Sequence, residues 1–101
     1  MSGLDNPLQI QKHRVTIEYC VPCDYSEQAL QVARELIRSY QHAISELVFE
    51  MSSGGVFEVK VDGESLFSKK ELKRHSRPGE VFGLFRKFVG QELPLYPHGQ
   101  N

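Results

Sequence analysis

Between Arg14 and Cys20 the side chains alternate, with Val15, Ile17 and Tyr19 on one side and Thr16 and Glu18 on the other. A period of two predicts a strand that runs directly into Cys20. The period then changes. Ala29, Val32, Ala33, Leu36, Ile37 and Tyr40 recur at intervals of three and four, with Glu27, Gln28, Gln31, Arg34 and Glu35 between them. That spacing predicts an amphipathic helix, which Ser26 or Asp24 is placed to cap. A second strand is predicted near residues 46–51, with Leu47, Phe49 and Met51 on one face. The run Ser52-Ser53-Gly54-Gly55 breaks it. "VFEVKV" at 56–61 follows as a third strand, and Asp62-Gly63 is a two-residue hairpin signal that returns the chain into "ESLFS" at 64–68. Residues 69–77 have no clear period. A last helix is predicted from about Gly79, with Val81, Phe82, Leu84, Phe85, Phe88 and Val89 as its apolar face and Gly90 as its stop. Phe82, Phe85 and Phe88 are expected in the core.

The order is therefore β-α-β-β-β-α. The first strand–helix–strand unit requires a right-handed crossover between parallel strands, and the third and fourth strands pair antiparallel. These rules predict an α/β chain with a thioredoxin-like, four-stranded mixed sheet covered by two helices. Residues 1–12 are expected to form a flexible arm, residues 13–90 the domain, and residues 91–101, with their spaced prolines, an irregular tail.

A chain of 101 residues suits one domain with its own core. With 40% hydrophobic and 25% charged residues and a net charge of -1, the bulk numbers point to neither nucleic acid nor membrane as a partner. No apolar run approaches the roughly 18 residues that span a bilayer. The first residues lack a basic stretch followed by an apolar core, so they do not read as a secretory signal. The expected compartment is the cytosol, where thiols are kept reduced.

That expectation bears on "EYCVPCDYS", which holds both cysteines of the chain, Cys20 and Cys23, two residues apart. A structural disulfide here would close a very small loop and constrain little of the unfolded chain. Three readings are open: a redox dithiol, half of a zinc site, or inert cysteines. Zinc wants four ligands, and His13, His42, His75 and His98 show no ligand spacing, although a site shared between molecules would need fewer from each. No metal and no cofactor is assigned. The redox reading draws on location. The pair sits where a strand meets a helix, and a helix N-terminus favours the thiolate through its partial positive charge and unpaired N–H groups. The spacing lets one thiol attack and the other resolve the mixed disulfide. Pro22 stiffens the turn, while Glu18 and Asp24 flank the sulfurs and oppose thiolate formation.

From here the chain resembles a known group. A strand ending in Cys20-Val-Pro-Cys23, the stretch "GGVFEVKVDG" at 54–63 and "LFSKK" at 66–70 are similar to the Rdx family, which includes selenoproteins W, T and H and cysteine-only bacterial relatives. The likeness runs from about Arg14 to Val89. It implies a thioredoxin-like fold and redox activity at Cys20 and Cys23. Selenocysteine takes the second motif position in the selenoprotein members, which corresponds to Cys23. In ordinary thioredoxins the attacking thiol corresponds to Cys20, so the two analogies disagree. An early helix start at Pro22 would favour Cys20, and the sequence leans that way. A start at Ser26 would leave Cys23 in an exposed loop and favour it instead. Met51 stands where bacterial relatives often carry a proline, and Pro78 alone matches the segment that usually precedes the last helix.

Two further features border this chemistry. If the second strand is parallel to the first, the Ser53-Gly54-Gly55 loop emerges beside the motif, and with Pro22 it forms a candidate substrate contact. The alternative is a plain turn that needs positive φ. Residues 69–77 carry Lys69, Lys70, Lys73, Arg74 and Arg77 against Glu71 alone. They would attract an acidic peptide or the carboxylates of glutathione, or else simply be a solvated loop. Tyr25 either shields the thiols or only packs. The functional expectation is a small thiol–disulfide oxidoreductase acting on protein or glutathione thiols and disulfides. The alternative is a redox-sensing binding module without turnover.

Overall fold

The structure is a computed structural model and describes residues 10–98. Of the arm expected over residues 1–12, residues 1–9 lie outside the described part, as do 99–101 of the tail. Strand β1 (His13–Cys20) leads through helix α1 (Ser26–Tyr40) and a 3-10 turn (Gln41–Ala43) to β2 (Ile44–Ser52). The chain continues as β3 (Phe57–Val61), β4 (Glu64–Ser68), a single helical turn α2 (Lys69–Leu72) and helix α3 (Glu80–Val89). The sheet order is β2-β1-β3-β4. β1 pairs parallel with β2 and antiparallel with β3, and β3 pairs antiparallel with β4. This is the thioredoxin-like mixed sheet expected from the pattern, with α2 added where no period was visible. Ser68 caps α2 by accepting from the Glu71 amide, and Lys73 ends it in the left-handed region at φ 63°.

The alternation in β1 decides which side of the sheet is covered. Val15 and Ile17 face Val61 and Val59 across the β1–β3 ladder. They join Phe57, Phe67, Ala29, Val32, Ala33, Leu36, Tyr40, Val81 and Phe85 in one buried cluster. α1 and α3 therefore lie against the same face. Side chains of opposite parity, including Glu18, Glu58 and Lys60, point to the other face.

The apolar stripes are narrower than their sequence period implies. Phe85 is fully buried, but Phe88 is 37% exposed, and Ile37 on α1 is 42% exposed. Each sits at the margin of its stripe. Phe88 reaches only the rim, where its ring meets the edge of His13 at 5.4 Å. Phe82 is half-buried, against the ring of Tyr40.

Polar contacts close the turns. Asp62 and Gly63 both take positive φ, 53° and 86°, as a two-residue hairpin of this type requires. Asp62 also accepts from the Arg14 amide at 2.9 Å and pairs with the His13 ring at 2.7 Å. These bonds hold its carboxyl below the usual range, the His13 bond contributing most. At the first residue of α3, Glu80 accepts a two-pronged hydrogen bond from Arg74, 2.8 Å on each arm, and one from the Arg77 amide at 2.9 Å. The chain after α3 forms no helix or strand through residue 98, yet the Tyr96 amide donates to the Ser39 carbonyl at 2.8 Å. No helix among the described residues is long and apolar enough to cross a membrane.

The Tyr40 hydroxyl is buried and has no partner among the described residues, so Tyr40→Phe should leave stability unchanged or raise it by about 1 kcal/mol. Phe85→Ala should cost about 3–5 kcal/mol. Urea denaturation of both variants checks this, and a large loss for Tyr40→Phe would mean that the hydroxyl is bonded. The Glu80 carboxyl is pulled down to about 2, first by Arg74 and then by the Arg77 amide. A folded pKa below the unfolded one gives stability that is full above the ordinary glutamate range and fades as pH falls toward 2. Glu80→Gln should therefore be less stable by about 1 kcal/mol at pH 7, a figure reduced for partial exposure. The difference should vanish near pH 2 in parallel denaturation curves.

Candidate redox site

β1 ends at Cys20, and the next four residues make a turn rather than a helix. The Asp24 amide donates to the Val21 carbonyl at 2.8 Å, which places Pro22 and Cys23 in the two central positions. Proline suits the first of these because its ring presets φ. Asp24 takes the left-handed conformation at φ 59°, which aspartate tolerates better than most residues. α1 begins only at Ser26. The early start allowed for Pro22 is therefore not found, and Pro22 serves as a turn residue. Neither Asp24 nor Ser26 caps the helix: the cap position is Tyr25, without a side-chain cap bond. Ser26 lies inside the helix and donates its hydroxyl to Asp24 at 3.0 Å.

The turn sets the two sulfurs apart in environment. Cys20 is wholly buried, as the last strand residue, while Cys23 is exposed in the turn. They are joined as a disulfide, with Cα atoms 5.3 Å apart, a separation ordinary for such a bond. Reduced, this spacing keeps a buried and an exposed thiol within reach of each other.

The glycine loop arrives beside them because β2 runs parallel to β1. Cys20 is in register with Ser52. The Val21 amide donates to the Ser52 carbonyl and the Cys20 amide to the Val56 carbonyl, both at 2.9 Å. Ser53, Gly54 and Gly55 thus span the end of β1. Gly54 and Gly55 have φ of 78° and 76°, and a Cβ at either would meet nothing within 4 Å. Glycine is needed here for backbone conformation rather than for lack of room, so the turn requirement is met and the space above it is open. Ser52 donates its hydroxyl to Glu18 at 2.7 Å, tying that carboxylate to the strand end.

Tyr25 packs. It is half-buried against the core, and its amide donates to the Cys20 carbonyl at 3.2 Å. Its partner was not legible in the sequence. His75, from the stretch without a period, meets the Tyr25 ring edge-on at 4.3 Å and the Phe57 ring at 5.3 Å. Burial lowers the His75 pKa, and the charge of Lys69 adds to the effect. The Lys69 ammonium lies 5.5 Å from the centre of the Tyr25 ring. Long-range packing of this kind leaves no local spacing to read. Among the described residues, no three His, Cys, Asp or Glu side chains are grouped as a metal site.

Comparison with known proteins agrees with this architecture. A crystal structure of a Bordetella parapertussis protein superposes with a TM-score of 0.74 at 22% identity, covering 78% of this chain and 100% of that one. A selenoprotein W-related protein from Vibrio cholerae gives 0.74 at 19% identity, covering 79% and 100%. In sequence, the chain is 31% identical over 58 residues to bovine (Bos taurus) migration and invasion enhancer 1. That match takes in 57% of this chain and 49% of the relative, so the chain spans about half the length of the curated relative it matches. The Rdx family model matches residues 14–87, and the chain belongs to the Rdx family.

Proposed function

We propose that the protein is a thiol–disulfide oxidoreductase whose Cys20 and Cys23 cycle between dithiol and disulfide. The observation that carries this reading is the pairing of a buried with an exposed cysteine at the strand end, at disulfide separation. Membership of the Rdx family and the selenoprotein W-related neighbour support it.

The exposure of the two residues supports Cys23 as the attacking thiol, against the lean toward Cys20 that an early helix start would have justified. In this scheme the Cys23 thiolate attacks a substrate disulfide. One substrate sulfur leaves as thiolate and takes up a proton, and Cys23 is left in a mixed disulfide. Cys20 then loses its proton and attacks the Cys23 sulfur, releasing the second substrate thiol. Two electrons pass from the dithiol to the substrate, and an external thiol reductant restores the dithiol. Cys20 needs no access to solvent in this scheme, because its target is brought to it. The cytosol, with its reducing thiol pools, is the proposed setting, and protein or glutathione disulfides are the proposed substrates.

Alkylation of the fully reduced protein, mapped by mass spectrometry, should modify Cys23 at least about tenfold faster than Cys20. Cys20→Ser, which keeps Cys23, should form mixed disulfides faster than Cys23→Ser. The reverse order in both assays would assign the attack to Cys20. Turnover separates a catalyst from a sensor. With a dithiol reductant in excess, the protein should reduce many equivalents of a peptide disulfide per molecule, and Cys23→Ser should not. Consumption of a single equivalent would make the protein a redox-sensing module.

A further inference from the structure

We propose that the groove beside the dithiol receives an acidic peptide segment next to the disulfide of a protein substrate. This rests on the oxidoreductase reading above and adds the chemistry that selects the substrate. The groove has a volume of ≈ 700 Å³ and runs between the glycine loop and the start of α2. Val56 lines it, and the Val56 carbonyl is the acceptor for the Cys20 amide. Lys69 lines the far side and lies over Tyr25, whose own amide bonds the Cys20 carbonyl. The Val56 wall is therefore one hydrogen bond from Cys20, and the Lys69 wall reaches Cys20 through Tyr25.

Lys69, Lys70 and Lys73 line this space, and none forms an ion pair among the described residues. The single acid in the lining, Glu58, is engaged by the Lys70 amide at 3.3 Å. Across from the lysines, Gly54 and Gly55 present backbone without side chains. Among the described residues neither amide donates to a backbone carbonyl. A surface lined by lysines on one side and by side-chain-free backbone on the other fits carboxylates on an extended chain. The chain as a whole carries a net charge of -1, so attraction for an acidic segment is set by local clusters such as this one. Local complementarity of this kind raises encounter rates and orients the partner more than it adds raw affinity.

The test compares two disulfide-linked peptide dimers of equal length, identical except for Asp or Asn at three positions flanking the cysteine. Each is reduced by the protein dithiol to two peptide thiols, with formation of the Cys20–Cys23 disulfide. Rates are normalised to those of a small uncharged dithiol, which removes intrinsic differences between the peptides. At low salt the wild-type protein should prefer the Asp peptide by roughly tenfold. The preference should shrink to about twofold at 0.3 M salt. In the triple variant Lys69→Gln/Lys70→Gln/Lys73→Gln it should fall to about one, with a circular dichroism melt to establish folding. The salt series on the wild-type protein reads the same effect without any variant. Equal normalised rates for the two peptides, or a preference that survives in the folded triple variant, overturn the groove assignment while leaving the redox reading intact. Failure to reduce either peptide overturns the redox reading and the groove assignment with it.

Discussion

The end of β1 is held from both sides, and the site depends on that clamp. On one side the parallel neighbour β2 brings Ser52 into register with Cys20, and its carbonyl takes the Val21 amide. On the other, Val56, just before the antiparallel neighbour β3, takes the Cys20 amide. A strand's last amides would otherwise be open to water or unpaired. Here they are satisfied by a loop that must cross the strand end to join β2 to β3. The crossing uses residues 53–55, and left-handed backbone at two successive positions makes it short. Cys20 is buried as a result, and the turn that follows can lift Cys23 into solvent.

The same geometry explains how much of this protein is legible in its sequence. β1 and β3 alternate cleanly because one face of each meets helices and the other does not. Asp62-Gly63 specifies its hairpin through local backbone preference. The parallel pairing of β1 and β2 follows from the handedness of a strand–helix–strand crossover. What the sequence conceals is set by distant partners or by margins. Phe88 and Ile37 fit the helical period but lie at the edges of stripes that only the sheet width can define. The start of α1 was ambiguous because proline suits both the first turn of a helix and the second position of a β-turn. The Asp24 amide bond to Val21 selects the turn. His75 gave no local signal at all: its partners Tyr25 and Phe57 come from two other parts of the chain.

Charge is divided across the end of the molecule. Glu18 pairs laterally with Glu50 on one side and Glu58 on the other, a row of three carboxylates on the uncovered sheet face. Like charges directly opposite one another destabilise a sheet. Two of the three are given donors, the Ser52 hydroxyl for Glu18 and the Lys70 amide for Glu58. The lysines of α2 and its cap follow immediately beyond Glu58. Acid on the open sheet face and base beside the glycine loop therefore meet near the turn that holds the two cysteines. For the acidic segment proposed above, the carboxylate row disfavours approach over the sheet face and the lysines favour approach along the groove. The groove is bordered by Gly54 and Gly55, which add no side chain of their own beside the strand end that holds Cys20.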